Sequence, residues 1–249
     1  MIDITITATR RPDVLRRTLE SFWRNMFAPK RRAINKVFIN IDPIGPGTLV
    51  ATRDVVYDYF ARDQVVYYNP LTASFPKAFI RVWQAAAKTN SETIFHLEDD
   101  WELRDPIDLT KMYITLFLYP DLSILRLSAF SSGTHVIRTW NKQIFWNGTF
   151  FEVPPYLRGL LGFAGHPQLI RKDFVRAIVP YLDDSRNPEK QIKGDNKHFG
   201  EYILSHRFGW YIGQDTRASI IDIGRNWMIK HKLRKKGSKA WFTTWEEAV

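Results

Sequence analysis

The sequence predicts an α/β fold in which a mostly parallel central sheet is flanked by helices. Three observations carry this. The first 105 residues alternate short apolar runs with stretches whose apolar residues recur at helical spacing. The apolar runs end in polar or acidic residues, as strands do when a site lies beyond their carboxyl ends. The chain has 249 residues, 45% of them hydrophobic and 14% aromatic, enough to bury one sizeable core, so a single domain over residues 1–249 is expected.

Asp3 to Thr9 read as a strand rich in Ile and Thr. Pro12 then stands where a first helical turn tolerates it. Val14, Leu15, Thr18, Leu19, Phe22, Trp23 and Met26 form one face of the following helix, with Arg16, Arg17 and Glu20 on the other. Lys36 to Ile41 is a second strand, ended by Asp42-Pro43 and the turn "IGPG". Thr48 to Arg62 is helical. Gln64 to Tyr68 is a third strand, ended by Asn69-Pro70. A helix opens at Pro76 and turns Ala78, Phe79, Val82, Trp83 and Ala86 inward. Thr93 to Leu97 is a fourth strand, with His96 expected as a core histidine. Strands separated by helices imply βαβ crossovers and parallel pairing.

The second half is less regular. Asp108 to Leu118 and Asn196 to Arg207 read as helices, and Ile124 to Leu127 and Trp210 to Ile212 as strands. Residues 130 to 160 are rich in aromatics, Ser and Gly and show no clean period. Residues 159 to 174, "GLLGFAGHPQLIRKDF", read as a Gly-rich loop leading into a helix.

The fourth strand runs into three consecutive acids, Glu98, Asp99 and Asp100. Adjacent buried carboxylates repel one another and are costly to desolvate. In extended chain Glu98 and Asp100 share a face and Asp99 points away. Two carboxylates on one face of a cleft suit a hard divalent cation, Mg²⁺ or Mn²⁺, completed by phosphate oxygens. A solvated turn capping the next helix is the plainer alternative.

The segments "ITATRRPDVLRRTLESF", "VFINIDP" and "HLEDDW", in that order and spacing, resemble those of GT-A-fold glycosyltransferases, the last as the DXD-type motif with Glu98 in place of its first Asp. "GFAGHPQLI" and "DIGRNW" are similar to later segments of small glycosyltransferases of bacterial, phage and large-virus type. The resemblance implies a Rossmann-like nucleotide-sugar-binding half over 1–105, an acceptor-side half over 106–222 and a basic segment over 223–249. It further implies that Thr7, Ala8, Thr9, Arg10 and Arg11 wrap the nucleotide and that Asp42 contacts its base or ribose. Glu98 would lie near the ribose or donor sugar, with Asn69 and Asp99 among the polar groups at the strand ends. Asp100 would coordinate the metal on the diphosphate. The donor would be a nucleotide-sugar, with UDP favoured, and the acceptor a glycan or other hydroxyl compound.

An inverting transfer needs a base for the acceptor hydroxyl. Asp195, an expected helix N-cap, and Glu201 on the same helix are candidates, with Glu152 a third. His166 in "GFAGHP" is a candidate for contacting a sugar. The aromatics Trp140, Phe145, Trp146, Phe150, Phe151 and Tyr156 divide between core and acceptor wall.

Charge and composition bound the rest. The net charge is +10, and seven basic residues lie between Arg225 and Lys239. Without them 29 Lys and Arg stand against 26 Asp and Glu, or +3. This segment could form a lid over phosphates that begins at Arg225, with His231 as a further metal ligand. It could instead be a solvated face, or dock on an anionic membrane surface. A nucleic-acid-binding role would explain the charge but leave the converging acids unexplained. A metal-dependent phosphoesterase would want more ligands than "EDD" offers. The chain has no cysteine, which excludes disulfides and thiolate metal sites. No apolar run approaches the ~20 residues of a membrane span. The opening "MIDITITATRRP" lacks the pattern of a secretory signal, so a cytoplasmic protein is expected.

Overall fold

A computed structural model describes residues 1–130, 136–139, 142–195, 197–212, 218–231, 233–236 and 244–247; residues 138–139, 194–195, 197, 233–236 and 244–247 are described by their backbone alone. The strands are β1 Ile2–Thr9, β2 Ile34–Asp42, β3 Val65–Tyr68, β4 Thr93–Glu98, β5 Trp101–Leu103, β6 Leu122–Leu127, β7 Val136–Thr139, β8 Lys142–Trp146, β9 Phe151–Glu152, β10 Gln168–Arg171, β11 Arg207–Tyr211, β12 Ile220–Asp222, β13 Leu233–Lys236 and β14 Thr244–Glu247. The helices are α1 Pro12–Phe22, α2 Leu49–Tyr57, α3 Phe75–Ala87, α4 Leu109–Leu118, α5 Arg158–Leu161, α6 Lys172–Ile178, α7 Pro188–Lys190, α8 Gly200–Ser205 and α9 Gly224–Lys230.

One sheet runs through both halves in the order β3-β2-β1-β4-β10-β6-β11-β9-β8-β7. β1 pairs in parallel with β2 and β4, and β2 with β3. β10 is antiparallel to both β4 and β6, so β6 keeps the direction of β4, and β11 runs parallel to β6. Thus β3, β2, β1, β4, β6 and β11 share one direction and β10 alone reverses among them. β9, β8 and β7 extend the far edge as an antiparallel meander.

Helices cover both faces of this sheet. β1 and β4 are buried on both sides, as parallel strands between helices must be. On one face α1 buries Leu15, Leu19 and Phe22 with Val55 and Val56 of α2 and Met112 and Leu116 of α4. On the other, Phe79, Val82 and Trp83 of α3 pack with Phe174 of α6, Ile203 of α8 and Phe208. Pro12 at the first turn and Asp13 after it start α1 as read from sequence. His96 is fully buried, as expected of a core histidine.

The structure redraws the second half. The segment read as a Gly-rich loop holds a short helix, α5, and the central strand β10. The helix expected through Arg207 ends at Ser205, because Arg207 already pairs in β11. Three short strands lie in residues 130 to 160, where no period was legible. Beyond the main sheet, β12 pairs with β5, setting Asp222 opposite Trp101 and carrying α9 to the end of β4. Among the described residues no helix is long and apolar enough to cross a membrane. The side chains of Lys232 to Lys239, and so most of the expected basic lid, lie outside the described residues.

Candidate active site

Register aligns the strand ends that sequence singled out. Thr7 lies opposite Glu98 and Thr9 opposite Asp42. The polar groups therefore converge at the carboxyl ends of β1, β2 and β4.

Asp99 organises the first loop. Its carboxylate accepts from the Thr9 backbone N–H at 2.9 Å, the Thr9 hydroxyl at 3.1 Å and the Arg11 guanidinium at 2.6 Å. Arg11 also donates to Asp100 at 3.3 Å and to the Thr9 hydroxyl at 2.7 Å. Burial opposes the Arg11 charge, but Asp99 and Asp100 outweigh it and hold its pKa above the ordinary value. Part of the repulsion within the acidic triple is thus relieved by a buried cation eighty-eight residues earlier. Arg11 in turn sits 5.1 Å from the Trp227 ring, whose N–H donates to Asp13 at 3.1 Å.

Asp42 is buried, and burial raises its pKa even though the Asn40 amide at 2.7 Å and the Ser74 N–H at 3.0 Å donate to it. It lines a cavity of about 170 Å³ with Thr7, Ala8, Thr9, Arg11, Ile44 and Phe75. A second cavity of about 830 Å³ lies on the acceptor-side half, with Trp101, Arg126, Trp210, His166, Lys193 and Arg225 in its wall. Glu98, Asp100 and Glu189 line both cavities, so three carboxylates stand at the junction. Asp99 lines the first cavity only.

Two glycines make this junction possible. A Cβ on Gly165 would collide with the carboxylates of Glu98 and Glu189, and its N–H donates to Glu189. A Cβ on Gly224 would collide with Asp100. The backbone of α9 reaches Asp100 through the Ile223 N–H, 2.9 Å from the Asp100 carbonyl.

The remaining expected residues are placed as follows. Arg10 donates to Asn69 at 3.4 Å, joining the ends of β1 and β3, and neither lines the two cavities. His166 packs its ring 4.7 Å from that of Trp101, and burial, then Arg126 and Lys193, push its pKa well below 6.5, so it is a neutral imidazole. Arg225 is exposed at the larger cavity. His231 is exposed and stacked on Trp227 at 4.2 Å, lining neither cavity. Glu201 is exposed on α8 and also lines neither. Asp195 closes a π-helical turn, Gln191–Asp195, and its side chain lies outside the described residues. Glu152 is held by Arg207 through two bonds of 2.8 and 2.6 Å, and this pairing lowers its pKa. A carboxylate so held makes a poor base.

Glu189, Arg126 and Lys193 were missed from sequence. Glu189 lies in the first turn of α7, whose N-cap is Asn187. Arg126 had a legible signal: it is a charged residue within a strand buried on both faces.

The carboxylates of Glu98, Asp100 and Glu189 are hard oxygen donors of the kind Mg²⁺ and Mn²⁺ take, and the glycines beside them leave the space a Cβ would fill. Among the described residues no group of three or more His, Asp and Glu side chains is already gathered as a metal cage. The fit is therefore to a cation whose shell a bound diphosphate would complete.

No protein-family model matches the chain, and no curated protein matches it in sequence. In fold it is similar to 464 solved chains, so the architecture is widespread and specifies no single chemistry. A mannosyltransferase from Pyrobaculum calidifontis, solved with GDP-Man and Mn²⁺, is similar at TM-score 0.52 and 7% identity over 86% of this chain. The match spans 55% of that longer protein. The 4-diphosphocytidyl-2C-methyl-D-erythritol synthase of Anaerococcus prevotii is similar at TM-score 0.49 and 14% identity, over 90% of each chain. The chain is thus a mixed α/β protein with the sheet-and-helix architecture of the mannosyltransferase.

Proposed function

We propose that this protein is a glycosyltransferase that moves a sugar from a nucleotide-sugar to an acceptor hydroxyl, with inversion. The observation that carries the reading is the junction: two cavities, at the strand ends and on the acceptor side, share Glu98, Asp100 and Glu189. The nucleotide occupies the smaller cavity, with Asp42 towards its base or ribose and Phe75 and Ile44 as apolar walls. The donor sugar reaches the junction beside Glu98, and the acceptor approaches through the larger cavity. Asp100, with Glu98 beside it, would hold Mn²⁺ or Mg²⁺, which when bound neutralises the charge growing on the diphosphate. Arg225 adds positive charge at the same cavity.

Glu189 is the base. Its carboxylate faces the junction and is oriented by the Gly165 N–H. It takes the proton of the acceptor hydroxyl as that oxygen bonds to the anomeric carbon, and the bond from that carbon to the diphosphate oxygen breaks. Glu189 takes precedence over Glu201 in this role because it lines both cavities and Glu201 lines neither.

Thermal unfolding with UDP, GDP and dTDP, each with and without Mn²⁺, tests the donor half. One nucleotide with metal should raise Tm by several degrees, since saturation a hundredfold above Kd stabilises by about 2.7 kcal/mol. Asp100→Ala should remove that rise while the protein stays folded. Glu189→Gln should keep the rise and lower transfer at least a hundredfold. No rise with any nucleotide, or normal transfer by Glu189→Gln, would overturn the respective assignments.

A further inference from the structure

The far wall of the larger cavity carries two cations that the transfer reaction does not use. Arg126 is 3% exposed, and its guanidinium lies 4.3 Å from the Trp210 ring. Among the described residues it donates once, to the Leu161 carbonyl at 2.9 Å, and its Nε has no partner. Lys193, half-buried, lines the same wall. Among the described residues neither forms an ion pair within 4.0 Å, although Glu98, Asp100, Glu189 and Asp222 line the same cavity. Burial, only partly offset by the field of Glu189, pushes Arg126 down to about 9 and lowers Lys193. A buried cation without a counter-charge is expensive, and an anionic ligand group removes the expense.

Position decides which anion this is. Arg126 pairs with Gln168 of β10, and Gln168 with His96 of β4. Arg126 is therefore two strands beyond β4, roughly 10 Å across the sheet, on the side away from β1 and β2. The smaller cavity, proposed above for the nucleotide, lies towards β1 and β2, and neither Arg126 nor Lys193 is in its wall. Beside the cations the wall is aromatic. Phe130 stacks on Trp210 at 5.6 Å and 17°, and Trp101 packs against His166. Trp210 is itself buried, and the half-buried rings of Phe130 and Trp101 are the ones left to take the apolar side of a sugar while the cations take a charged substituent.

We propose that the acceptor is an acidic sugar, whose carboxylate or phosphate docks on Arg126 and Lys193 at the far wall of this cavity. The proposal rests on the transferase reading, but its test separates the two. Binding of methyl glucuronide, glucose 6-phosphate and uncharged methyl glucoside is measured by ligand-observed NMR on wild type, Arg126→Met and Lys193→Met. The same proteins are melted with UDP, GDP and dTDP plus Mn²⁺. Wild type should bind one of the acidic probes about tenfold or more tightly than the glucoside. Both variants should lose that preference and keep the nucleotide-induced rise in Tm. If Arg126→Met fails to fold, Lys193→Met alone decides. Equal binding of charged and uncharged probes, or a preference kept in Lys193→Met, overturns the proposal. So does loss of the nucleotide response in Lys193→Met, which would assign these cations to the donor phosphates. An acidic-sugar preference in a protein that no nucleotide stabilises would uphold the anion site and fell the transferase reading instead.

Discussion

His96 shows how one residue's protonation can be fixed by its neighbours. The Trp83 N–H can only donate, and it points at Nδ1 of His96 from 3.2 Å, with the Thr5 hydroxyl at 3.0 Å. Nδ1 is therefore the acceptor, and the ring's proton sits on Nε2. A second proton would face a donor head-on in a fully buried ring, and burial lowers the pKa to about 3. The unfolded chain takes up that proton near pH 6.5 and the folded chain does not. His96 thus contributes stability that is complete above pH 6.5 and is lost as pH falls towards 3. Urea unfolding at pH 7 and pH 5 should differ by about 2 kcal/mol more in wild type than in His96→Phe. Equal pH sensitivity in the two proteins would refute the assignment. At the same scale, the acidic triple and the pairing of Glu98 with Asp100 were readable from sequence, but the partners of Asp99 were not. Asp99 is committed to Thr9 and Arg11, a partnership across eighty-eight residues that no local pattern encodes.

At the scale of elements, the glycine-bearing segments 162–167 and 222–224 act as spacers. The nearest atoms to a Cβ on Gly165 are the ends of two carboxylate side chains, which can swing aside. Gly165→Ala should leave Tm within a few degrees yet displace Glu98 and Glu189 together, lowering transfer at least tenfold. An alanine variant with normal transfer would show that those two carboxylates need no fixed position. The first four strands were legible because each apolar run alternates with a stretch of helical spacing and ends in polar or acidic residues, although the second helix stops at Tyr57 rather than Arg62. β10 was not. It has four residues, of which Gln168, Leu169 and Ile170 are buried, so it alternates no faces and looks like an apolar fragment of a loop. The short strands of the meander were lost for the same reason, since pairing rather than propensity defines them.

For the molecule as a whole, the two halves are tied at the end of the sheet opposite the site. Lys172 is 1% exposed and donates to Asp3 at 3.0 Å and to the Ser91 hydroxyl at 2.6 Å. Asn35 completes the Asp3 carboxylate at 2.9 Å. Lys172→Met leaves Asp3 buried without its counter-charge and should cost about 3–5 kcal/mol by urea unfolding. Because the pair lies at the far end of β1, the nucleotide-induced rise in Tm should persist in that variant. Loss of nucleotide response with unchanged stability would mean the two ends of the sheet are coupled. This tie could not be read from sequence, because it joins residues 169 apart along the chain.

The placement of β10 also constrains how the protein is made. Residues 168–171 fill the slot between strands 93–98 and 122–127. A nascent chain that has passed residue 127 carries two apolar strands whose facing edges have no partner until some forty residues later. Such open edges are templates for pairing with other chains. The interval between emergence of β6 and arrival of β10 is therefore a stretch of synthesis exposed to aggregation, and this slot closes only when the segment that carries Gly165 and Lys172 has left the ribosome.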